Sequence, residues 1–533
     1  MRFPLTALVS LAVGVQAALT AAQSLESRCT PSTFSSVIPS NATLIYAVPY
    51  AENTTFNGTV AVGPAFCAVY MNVTSSASSA FEFGLWLPLD TWNGRFIAYG
   101  NGGFVGAVAW TDMANGLGYG FAAVSTNTGH NSTDNSGSWA LDAPEKRTDW
   151  GWRALHGSVS LGKELTTAFY NGSIAYSYYA GCSTGGRQGL KSAQMFPDDF
   201  DGIVAGSPAW WTTHLQQWNL KVATYNLPND APYHINESLF SVIADEVFRQ
   251  CDAVDGLEDG IITNPYACDF RPDTLLCNST TTNTSTCLTG PQIDTLYKIY
   301  GDWVDVNQTF VFPHLTLSSE AQWSIALVTP DGSEPAWIGY PRYFLYDDPE
   351  WPWQDLDYAT VQLADELNPG NATAWDYDMS PFYEKGGKLI HYHGLADGSI
   401  ATGSSIYFWN HVQRALVPQG VPVSDFYRFF LIPGMQHCVG GVNDAPWYIA
   451  GANQGTGFYS VPGYMDAQHD VVLAILNWVE NGTAPDTIIA TKFLDDEPDE
   501  GVIVQRPLCQ YPALAKYVSG DPNVTTSFEC EEI

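Results

Sequence analysis

The stretch GCSTGG at residues 181–186 decides which fold this chain is expected to adopt. It contains the pattern G-x-S-x-G, which places a serine, here Ser183, on a sharp turn between a strand and a helix, where only small neighbours fit. The bare pattern is common, so its surroundings carry the argument. Upstream, Ile174, Tyr176 and Tyr178 alternate with smaller or polar residues as in a strand, and downstream the apolar residues share one broad helical face. The stretch therefore predicts an α/β fold with Ser183 as a nucleophile.

A serine nucleophile on this fold requires an acid and then a histidine further along the chain. Asp397 follows an apolar run in a glycine-bounded loop, and His437 follows a second apolar run that also ends in a turn. Taken singly, Asp397 is better explained as a turn former and His437 as an ordinary loop histidine. His391 and His393 precede the acid within the predicted strand, so we interpret them as structural or pocket-lining.

Two cysteines decide between these interpretations. Cys182 directly precedes Ser183, and Cys438 directly follows His437. A disulfide between them would hold a nucleophile and its base within hydrogen-bond reach. In the loop-entropy model, closing so long a loop stabilises the fold by about 5 kcal/mol. The alternative is a pair of buried cysteines that never meet.

With these residues identified, the chain resembles the tannase and feruloyl esterase family of fungi and bacteria. The matching residues are Cys182-Ser183, Asp397 and His437-Cys438, and the flanking GGRQG at residues 185–189 also fits the family pattern. The resemblance runs from Cys29 to Cys530, and a doubled Ser/Cys and His/Cys adjacency is rare among esterases. It implies an α/β-hydrolase core whose Ser-His-Asp triad hydrolyses esters through an acyl-enzyme, with no metal or organic cofactor in the chemistry.

The same fold requires an oxyanion hole. One donor is expected to be the backbone N–H of Thr184, the residue after the nucleophile. The other is expected from the loop after an early strand, where Gly102 and Gly103 let backbone N–H groups approach an oxyanion without obstruction by side chains. A simple glycine turn is the alternative. The resemblance favours the catalytic role and leaves open which of the two glycines donates.

The spacing of these residues predicts the domain organisation. The acid lies far beyond the nucleophile in the sequence, whereas acid and histidine are close together. Residues 209–384, rich in Trp, Tyr, Asn and Thr, are therefore predicted to form an inserted lid domain above the C-terminal edge of the sheet, where ligands bind. The catalytic domain then comprises residues 19–208 and 385–533. Within it we expect a strand at 202–205 and a helix near 471–479.

A calcium site is expected in the lid at residues 251–261. Aspartates separated by glycines can surround Ca²⁺ with oxygen ligands, although the spacing is not that of an EF-hand. Two Asp-Gly turns on an acidic surface are the alternative from the residues alone. By the resemblance, a Cys251–Cys268 bridge closes the loop and the calcium is structural. Its ligands, through carboxylates or backbone carbonyls, would be Asp252, Asp255, Leu257, Asp259 and Ile261.

Several features point to a secreted glycoprotein. A basic start followed by an apolar run and small residues predicts a signal peptide at residues 1–18. The ten cysteines, an even number, suit an oxidising destination. Besides the pair at the triad, nearest neighbours suggest the disulfides Cys29–Cys67, Cys251–Cys268, Cys277–Cys287 and Cys509–Cys530. Acceptor sites of the form N-x-S/T occur at Asn41, Asn53, Asn57, Asn72, Asn131, Asn171, Asn236, Asn278, Asn283, Asn307, Asn371, Asn481 and Asn523.

The charge of the chain limits its partners. A formal net charge of −34 argues against nucleic acid or an anionic membrane as a partner. No apolar run after the signal peptide is long enough to span a bilayer, so the mature protein is expected to be soluble and extracellular.

The substrate class follows from the resemblance. The family divides between feruloyl esterases, which release hydroxycinnamic acids from plant cell-wall sugars, and tannases, which release gallate. A lid without an evident dibasic processing site favours the feruloyl branch, because the pair Lys146-Arg147 lies at the start of a predicted core helix. The expected partners are therefore phenolic-acid esters of plant cell-wall polysaccharides. A binding module that has lost catalysis, or a peptidase, are the alternatives from other classes.

Aromatic residues of the lid could stack against such an acyl group, but aromatic residues in a lid more often form its own core. The residues concerned are Trp210, Trp211, Trp218, Trp337, Tyr340, Tyr343, Phe344, Trp351 and Trp353.

Overall fold

A nine-stranded mixed sheet organises the fold. The computed structural model describes residues 25–278, 284–329, 333–455 and 460–532, so the predicted signal peptide at 1–18 lies outside the described residues. In chain order the strands are β1 (Ala42–Tyr50), β2 (Thr54–Phe56), β3 (Val60–Val62), β4 (Phe66–Thr74), β5 (Ala80–Pro88), β6 (Arg95–Tyr99), β7 (Ala122–Thr126), β8 (Tyr176–Cys182), β9 (Gly202–Gly206), β10 (Trp303–Asp305), β11 (Thr309–Phe312), β12 (Lys388–Gly394), β13 (Tyr427–Ile432), β14 (Thr487–Phe493), β15 (Val502–Cys509), β16 (Ala513–Tyr517) and β17 (Phe528–Glu532).

The strand order of the main sheet is β1-β4-β5-β7-β6-β8-β9-β12-β13. The first three neighbouring pairs are antiparallel, and every pair from β7 to β13 is parallel. Parallel strands end at the same edge of a sheet. The loops after β6, β8, β12 and β13, which carry the predicted catalytic residues, therefore meet at one edge.

Helices cover both faces of this sheet. On one face, side chains of α4 (Ala154–Tyr170) and α5 (Thr184–Met195) pack against apolar residues of the central strands, and on the other face α2 (Trp110–Gly118) and α13 (Val471–Asn481) do the same. The α-helices are α1 (Pro31–Phe34), α2 (Trp110–Gly118), α3 (Pro144–Thr148), α4 (Ala154–Tyr170), α5 (Thr184–Met195), α6 (Thr212–Thr224), α7 (Phe240–Cys251), α8 (Gly290–Ile299), α9 (Ser324–Leu327), α10 (Tyr358–Leu367), α11 (Ser380–Glu384), α12 (Gly403–Leu416) and α13 (Val471–Asn481). Burial on both faces explains why β8 and β9 are apolar along almost their whole length. The α/β fold expected from the sequence is confirmed.

The strand and helix predicted for the catalytic domain are both present. The strand expected at 202–205 is β9, whose Val204 pairs with Ala180 of β8. The helix expected near 471–479 is α13, which starts after Asp470 and ends before Gly482. Gly482 has a positive φ of 71°. Glycine adopts that left-handed conformation without strain, which explains where the helix stops.

The insertion, residues 207–387, connects β9 to β12. Its described part carries six α-helices, from α6 to α11, and the hairpin β10–β11, and contributes no strand to the main sheet. It occupies almost the same range as the predicted lid at 209–384. The division into a catalytic domain at 19–208 and 385–533 and a lid stays a prediction.

Five disulfides are present, with the pairing that the sequence suggested. Their Cα–Cα separations lie between 5.1 and 5.9 Å. They are Cys29–Cys67, Cys182–Cys438, Cys251–Cys268, Cys277–Cys287 and Cys509–Cys530.

The predicted glycosylation sites lie mostly at the surface. Asn72 is half-buried and Asn283 lies outside the described residues, whereas the asparagines of the other sites are exposed. Among the helices of the described ranges, none combines the length and the apolar character needed to cross a membrane.

Candidate active site

Ser183 lies at the turn between β8 and α5, in the context that the sequence predicted. Its φ and ψ are 63° and −123°, a conformation that costs a residue with a side chain strain energy. The neighbouring glycines are required by close packing: a Cβ at Gly186 would lie 2.3 Å from the carbonyl oxygen of Gly206. A Cβ at Gly181 would lie 2.7 Å from the backbone of Gly185. The turn therefore presents Ser183 at the sheet edge and tolerates only small residues around it.

Asp397 lies in the loop after β12 and is completely buried. One carboxylate oxygen, Oδ1, accepts hydrogen bonds from the backbone N–H groups of Ser399 and Ile400 at 2.9 and 2.8 Å. The other, Oδ2, lies 2.7 Å from Nδ1 of His437. Burial alone would raise the pKa of Asp397, but the charge of His437 and the hydrogen bonds to Oδ2 hold it well below its ordinary value. A charged carboxylate is therefore stable at this buried position.

His437 follows β13 and faces the same cavity as Ser183. Its side chain is 16% exposed, in contrast to the fully buried Asp397. The disulfide between Cys182 and Cys438, with Cα atoms 5.9 Å apart, joins the turn of Ser183 to the loop of His437. The fold thus brings together all three predicted triad residues, and the two cysteines meet.

The cavity in front of Ser183 has a volume of about 840 Å³. Its wall combines apolar side chains, such as Val108 and Trp110, with a few polar ones, among them Asn135 and Asp112. That volume and this mixture of surfaces are typical of sites for small organic ligands.

The predicted oxyanion donors surround Ser183. Gly102 and Gly103 line the cavity beside it, and the hydroxyl of Thr184 donates a hydrogen bond to the carbonyl oxygen of Gly103 at 3.0 Å. This bond ties the glycine loop to the start of α5. Among the residues that the structure describes, none accepts a hydrogen bond from the backbone N–H of Thr184, Gly102 or Gly103. These N–H groups are therefore available to a negatively charged oxygen at the cavity.

Gln188, on α5, has a structural role that the sequence did not reveal. Its Oε1 accepts the backbone N–H of Asn101 at 3.0 Å, and its Nε2 donates to the side-chain oxygen of Asn101 at 3.1 Å. The Asn101 amide in turn donates to the carbonyl oxygens of Ala107 and Thr126. Gln188 thereby fixes the glycine loop relative to Ser183. The only signal in the sequence is its position in the GGRQG stretch.

Arg187, the neighbour of Gln188, is fully buried. Its guanidinium donates to the carbonyl oxygens of Gly151, Trp150 and Ala372, and its carbon lies 4.3 Å from the centroid of the Trp150 ring. Burial lowers the pKa of Arg187 to about 10. Because Ala372 belongs to the insertion, this side chain attaches the insertion to the helix behind the nucleophile.

Gln322 is a further residue that sequence reasoning missed. It belongs to the insertion, yet its Oε1 accepts the backbone N–H of His437 at 2.9 Å and that of Gly398 at 3.1 Å. A single side-chain oxygen therefore links the loop of His437 to the loop of Asp397. It lies 115 residues before His437 in the sequence, and no motif marks it.

His391 and His393 are completely buried in β12. Neither lines the cavity in front of Ser183, so of the two interpretations offered by the sequence, structural or pocket-lining, the structural one fits. His393 instead lies behind the acid, with Nε2 3.0 Å from Oδ2 of Asp397.

The aromatic residues of the insertion mostly form its own core, as the alternative in the sequence analysis held. Trp337 lines the cavity and also packs with one apolar cluster. The others belong to or pack near the hydrophobic clusters: Trp210, Trp211, Trp218, Tyr340, Tyr343, Phe344, Trp351 and Trp353.

The predicted calcium segment forms a loop whose carboxylates accept backbone N–H groups of the same loop. The bonds are Gly260 to Asp252, Leu257 to Asp255 and Ile261 to Asp259. Burial, with a smaller contribution from the charge of Asp259, raises the pKa of both Asp252 and Asp255. Asp259 also accepts a hydrogen bond from Arg506 at 2.7 Å.

This donor set suits calcium chemically, since carboxylates and backbone carbonyls are the ligands that Ca²⁺ prefers. Across the described ranges, however, no three or more His, Cys, Asp or Glu side chains are gathered in an arrangement that could hold a metal ion. Calcium binding by this loop stays a prediction.

Comparison with known proteins shows which family this chain matches. The chain matches the family described as "Tannase and feruloyl esterase" over residues 67–311 and 356–531. A "Probable feruloyl esterase B-1" from Aspergillus oryzae is 38% identical over 470 residues, which cover 87% of this chain and 84% of the relative. A "Probable feruloyl esterase B-2" from Aspergillus terreus is 37% identical over 471 residues, 87% of this chain and 86% of the relative.

Two solved structures resemble the fold. The crystal structure of feruloyl esterase B from Aspergillus oryzae has a TM-score of 0.88 and 35% sequence identity, and the match covers 95% of this chain and 100% of that one. The tannin acyl hydrolase from Aspergillus niger has a TM-score of 0.74 at 22% identity, with 95% of each chain covered, and shares the fold.

Proposed function

Because this chain belongs to the tannase and feruloyl esterase family of carboxylic ester hydrolases, we propose that it hydrolyses hydroxycinnamoyl esters of plant cell-wall polysaccharides with Ser183 as nucleophile. The observation that carries the proposal is the contact of 2.7 Å between His437 Nδ1 and Asp397 Oδ2, with His437 and Ser183 on the wall of one cavity. A hydrogen bond from Nδ1 to the carboxylate leaves Nε2 of His437 free to take a proton, which is what a serine nucleophile needs.

The proposed mechanism is a two-step acyl transfer. His437 removes the proton of Ser183 while its oxygen attacks the ester carbonyl, and Asp397 orients the imidazole and stabilises its cationic form. The N–H of Thr184, with that of Gly102 or Gly103, stabilises the oxyanion. His437 then protonates the leaving alcohol, and water, activated by the same imidazole, releases the phenolic acid. All of these steps use groups of the protein.

The nature of the cavity supports an aromatic acid ester as substrate. Apolar side chains such as Trp110 and Trp337 offer surface to a planar ring, while the carboxylate of Asp112 lies in the same wall. Burial raises the pKa of Asp112 to about 6. We propose that this carboxylate accepts a hydrogen bond from a phenolic hydroxyl of the acyl group. The names of the relatives with higher sequence identity favour a hydroxycinnamoyl over a galloyl ester.

The experiment that tests the proposal compares hydrolysis of methyl ferulate, caffeate, p-coumarate, sinapate and gallate by the wild type and by Ser183→Ala. Turnover of the cinnamates that is lost in the folded variant is the expected result. Turnover of gallate alone would make the enzyme a tannase with the same mechanism. Activity that survives Ser183→Ala would overturn the assignment of the nucleophile. A folded wild type that is inert towards all five esters would instead favour a binding module, or a peptidase if it cleaves peptides.

Secretion as a glycoprotein is part of the proposal. The five disulfides and the exposed acceptor asparagines support it, because both belong to the oxidising secretory route. On expression in a fungal host, the protein should be found in the culture medium, and its mass should fall on treatment with an endoglycosidase. Retention inside the cell, without any change in mass, would contradict it.

A structural calcium ion at residues 251–261 is also proposed. A ligand that binds only the folded state raises the melting temperature, so removal of calcium with EGTA should lower the Tm of the wild type. Asp255→Asn should be less sensitive to EGTA, and kcat at a temperature well below the Tm should stay unchanged. An unchanged Tm together with a calcium-free protein by elemental analysis would refute the site.

A further inference from the structure

A continuous chain of hydrogen-bonding side chains runs behind Asp397 through the interior of the protein. The hydroxyl of Tyr427 lies 2.6 Å from Nδ1 of His391, whose Nε2 lies 2.9 Å from Oγ of Ser405. The same Oγ lies 2.7 Å from Nδ1 of His393, whose Nε2 lies 3.0 Å from Oδ2 of Asp397. All five residues are completely buried.

At the far end of this row of side chains, burial raises the pKa of Tyr427 and lowers that of His391, so a neutral phenol faces a neutral imidazole. The contacts are compatible with a row of bonds in which the phenol donates to Nδ1 of His391, Nε2 of His391 donates to Ser405, and Ser405 donates to Nδ1 of His393.

The near end of the row fixes one proton position independently. Nε2 of His393 lies 3.0 Å from two atoms that can only accept, Oδ2 of Asp397 and the carbonyl oxygen of Ile400. Nε2 must therefore carry a proton, and His393 donates to Asp397.

From this geometry, and resting on the proposed function, we infer that His393 is a positioning residue for the reaction: it holds Oδ2 of Asp397 against Nδ1 of His437. The two oxygens of Asp397 are then held by four N–H groups, two from the backbone and two from imidazoles. This arrangement fixes the plane of the carboxylate and hence the orientation of the base. His393 is not itself the base, because it is completely buried and does not reach the cavity.

The physical need for such a residue comes from burial. A carboxylate without solvent is stable as an anion only when hydrogen bonds replace its hydration. The N–H at Nε2 of His393 supplies one of these bonds. Three titratable groups face Asp397 and His393. They are His437, His391 and, at the far end of the row of hydrogen-bonded side chains, Tyr427.

The test is a comparison of His393→Leu, His393→Gln and His214→Leu, with kcat, KM, the pH profile of kcat/KM and the Tm measured for each. His393→Leu removes the donor, whereas the amide of His393→Gln can place an N–H near the position of Nε2. His214 is the matched control: it is another buried histidine with Nε2 2.9 Å from an aspartate, Asp365, but it lies in the insertion outside this chain of side chains.

We expect His393→Leu to lower kcat about 10- to 100-fold with little change in KM, because a misoriented base affects the chemical step. The acid limb of its pH profile should move to higher pH: without the N–H of His393, Asp397 becomes more basic and holds the protonated form of His437 more strongly. His393→Gln should recover part of both effects. His214→Leu should lower only the Tm.

The inference would be overturned if His393→Leu kept the wild-type kcat and acid limb per folded molecule, as His214→Leu is expected to do. Should His393→Leu fail to fold, Ser405→Ala takes its place, since it removes the hydroxyl that orients His393; the same shift of the acid limb, at about 3-fold loss of kcat, is then expected. An unshifted limb would reject the inference. An inactive wild type would overturn the proposed function, whereas an active wild type with unaffected variants would overturn this inference alone.

Discussion

The two halves of the candidate active site are built in different ways. The nucleophile side, residues 100–103 and 181–189, combines a strained φ at Ser183 and close contacts between glycines with side-chain hydrogen bonds from within the same segments, made by Thr184 and Gln188. The acid–base side, residues 391–400 with His437 and Gln322, is held by side chains that come from distant parts of the sequence.

The difference predicts where substitutions are tolerated. On the nucleophile side, a Cβ added at the close-packed glycines or the loss of the Gln188 side chain should be the most harmful change. On the acid–base side, Oδ2 of Asp397 and Oε1 of Gln322 each have two partners, so function should be lost in graded steps as these partners are removed.

The largest expected effect comes from Asp397→Asn, which changes the acid–base side without changing its volume. All four groups around the carboxylate are donors, from Ser399, Ile400, His393 and His437, so either orientation of an amide brings N–H groups against N–H groups. His437 would be left in the wrong tautomer, and kcat should fall about 10⁴-fold. Steady-state kinetics on methyl ferulate, with circular dichroism as a check of folding, measures the effect. A loss below 10-fold would contradict the role of Asp397.

The second effect comes from removing the disulfide that connects the two sides. Replacing Cys182 and Cys438 together by Ser should lower kcat/KM about 100-fold, because a displacement of the base by roughly 1 Å is enough for such a loss. The Tm should fall as well. The matched control is the pair Cys509 and Cys530, which is joined in the same way far from Ser183 in a separate small cluster. Its double replacement should lower the Tm without changing kcat/KM per folded molecule. Equal kinetics for both double variants would reject a positional role for the Cys182–Cys438 bridge.

The same difference explains how much could be predicted from the sequence. The segment 181–189 is local: the strand, the glycines and Ser183 are close in sequence, so the pattern around GCSTGG is sufficient to predict it. Residues 100–103 were predicted because the fold requires an oxyanion hole. The pairing of Cys182 with Cys438 was accessible because each cysteine adjoins a triad residue. Both predictions match the fold.

The supports of the acid–base side could not be predicted in this way. Gln322 lies in an insertion without any motif, and its role exists only because the insertion folds back onto the loops of Asp397 and His437. His393 was noticed in the sequence, but alternation along a strand does not reveal whether a buried histidine faces an acid or another apolar layer. Contacts of this kind depend on tertiary packing.

A third, smaller effect concerns Gln322, the residue of the insertion that supports the acid–base side. Gln322→Leu leaves the N–H groups of His437 and Gly398 without their acceptor, and kcat should fall about 10-fold as both loops gain freedom. Gln322→Glu keeps an acceptor oxygen at the same place and should retain most of the activity. The measurement is kcat and KM for both variants at one pH. Equal losses in the two variants would show that the acceptor is not what matters.

The smallest effect concerns Asp112, which lies outside both halves of the site, and tests whether the wall of the cavity selects the substrate. Asp112, in the first turn of α2, lines the cavity and accepts the N–H of Asn453 at 3.1 Å. If its carboxylate accepts the phenolic hydroxyl of the acyl group, Asp112→Asn should reduce the preference for methyl ferulate over its 4-methoxy analogue about 5-fold, since a charged acceptor binds a hydroxyl more strongly than an amide does.

The preference for the free phenol should also depend on pH, in a direction set by the charge of Asp112. The pKa of Asp112 is raised by burial to about 6, so the carboxylate is charged above this pH and protonated below it. The preference of the wild type for the free phenol should therefore decline as the pH falls through about 6, while that of Asp112→Asn stays flat. The ratio of kcat/KM for the two esters, measured from pH 5 to pH 7.5, cancels the titration of the triad because both esters share it. A ratio that is the same in wild type and variant at every pH would remove Asp112 from substrate recognition and leave selection to the apolar wall and the insertion.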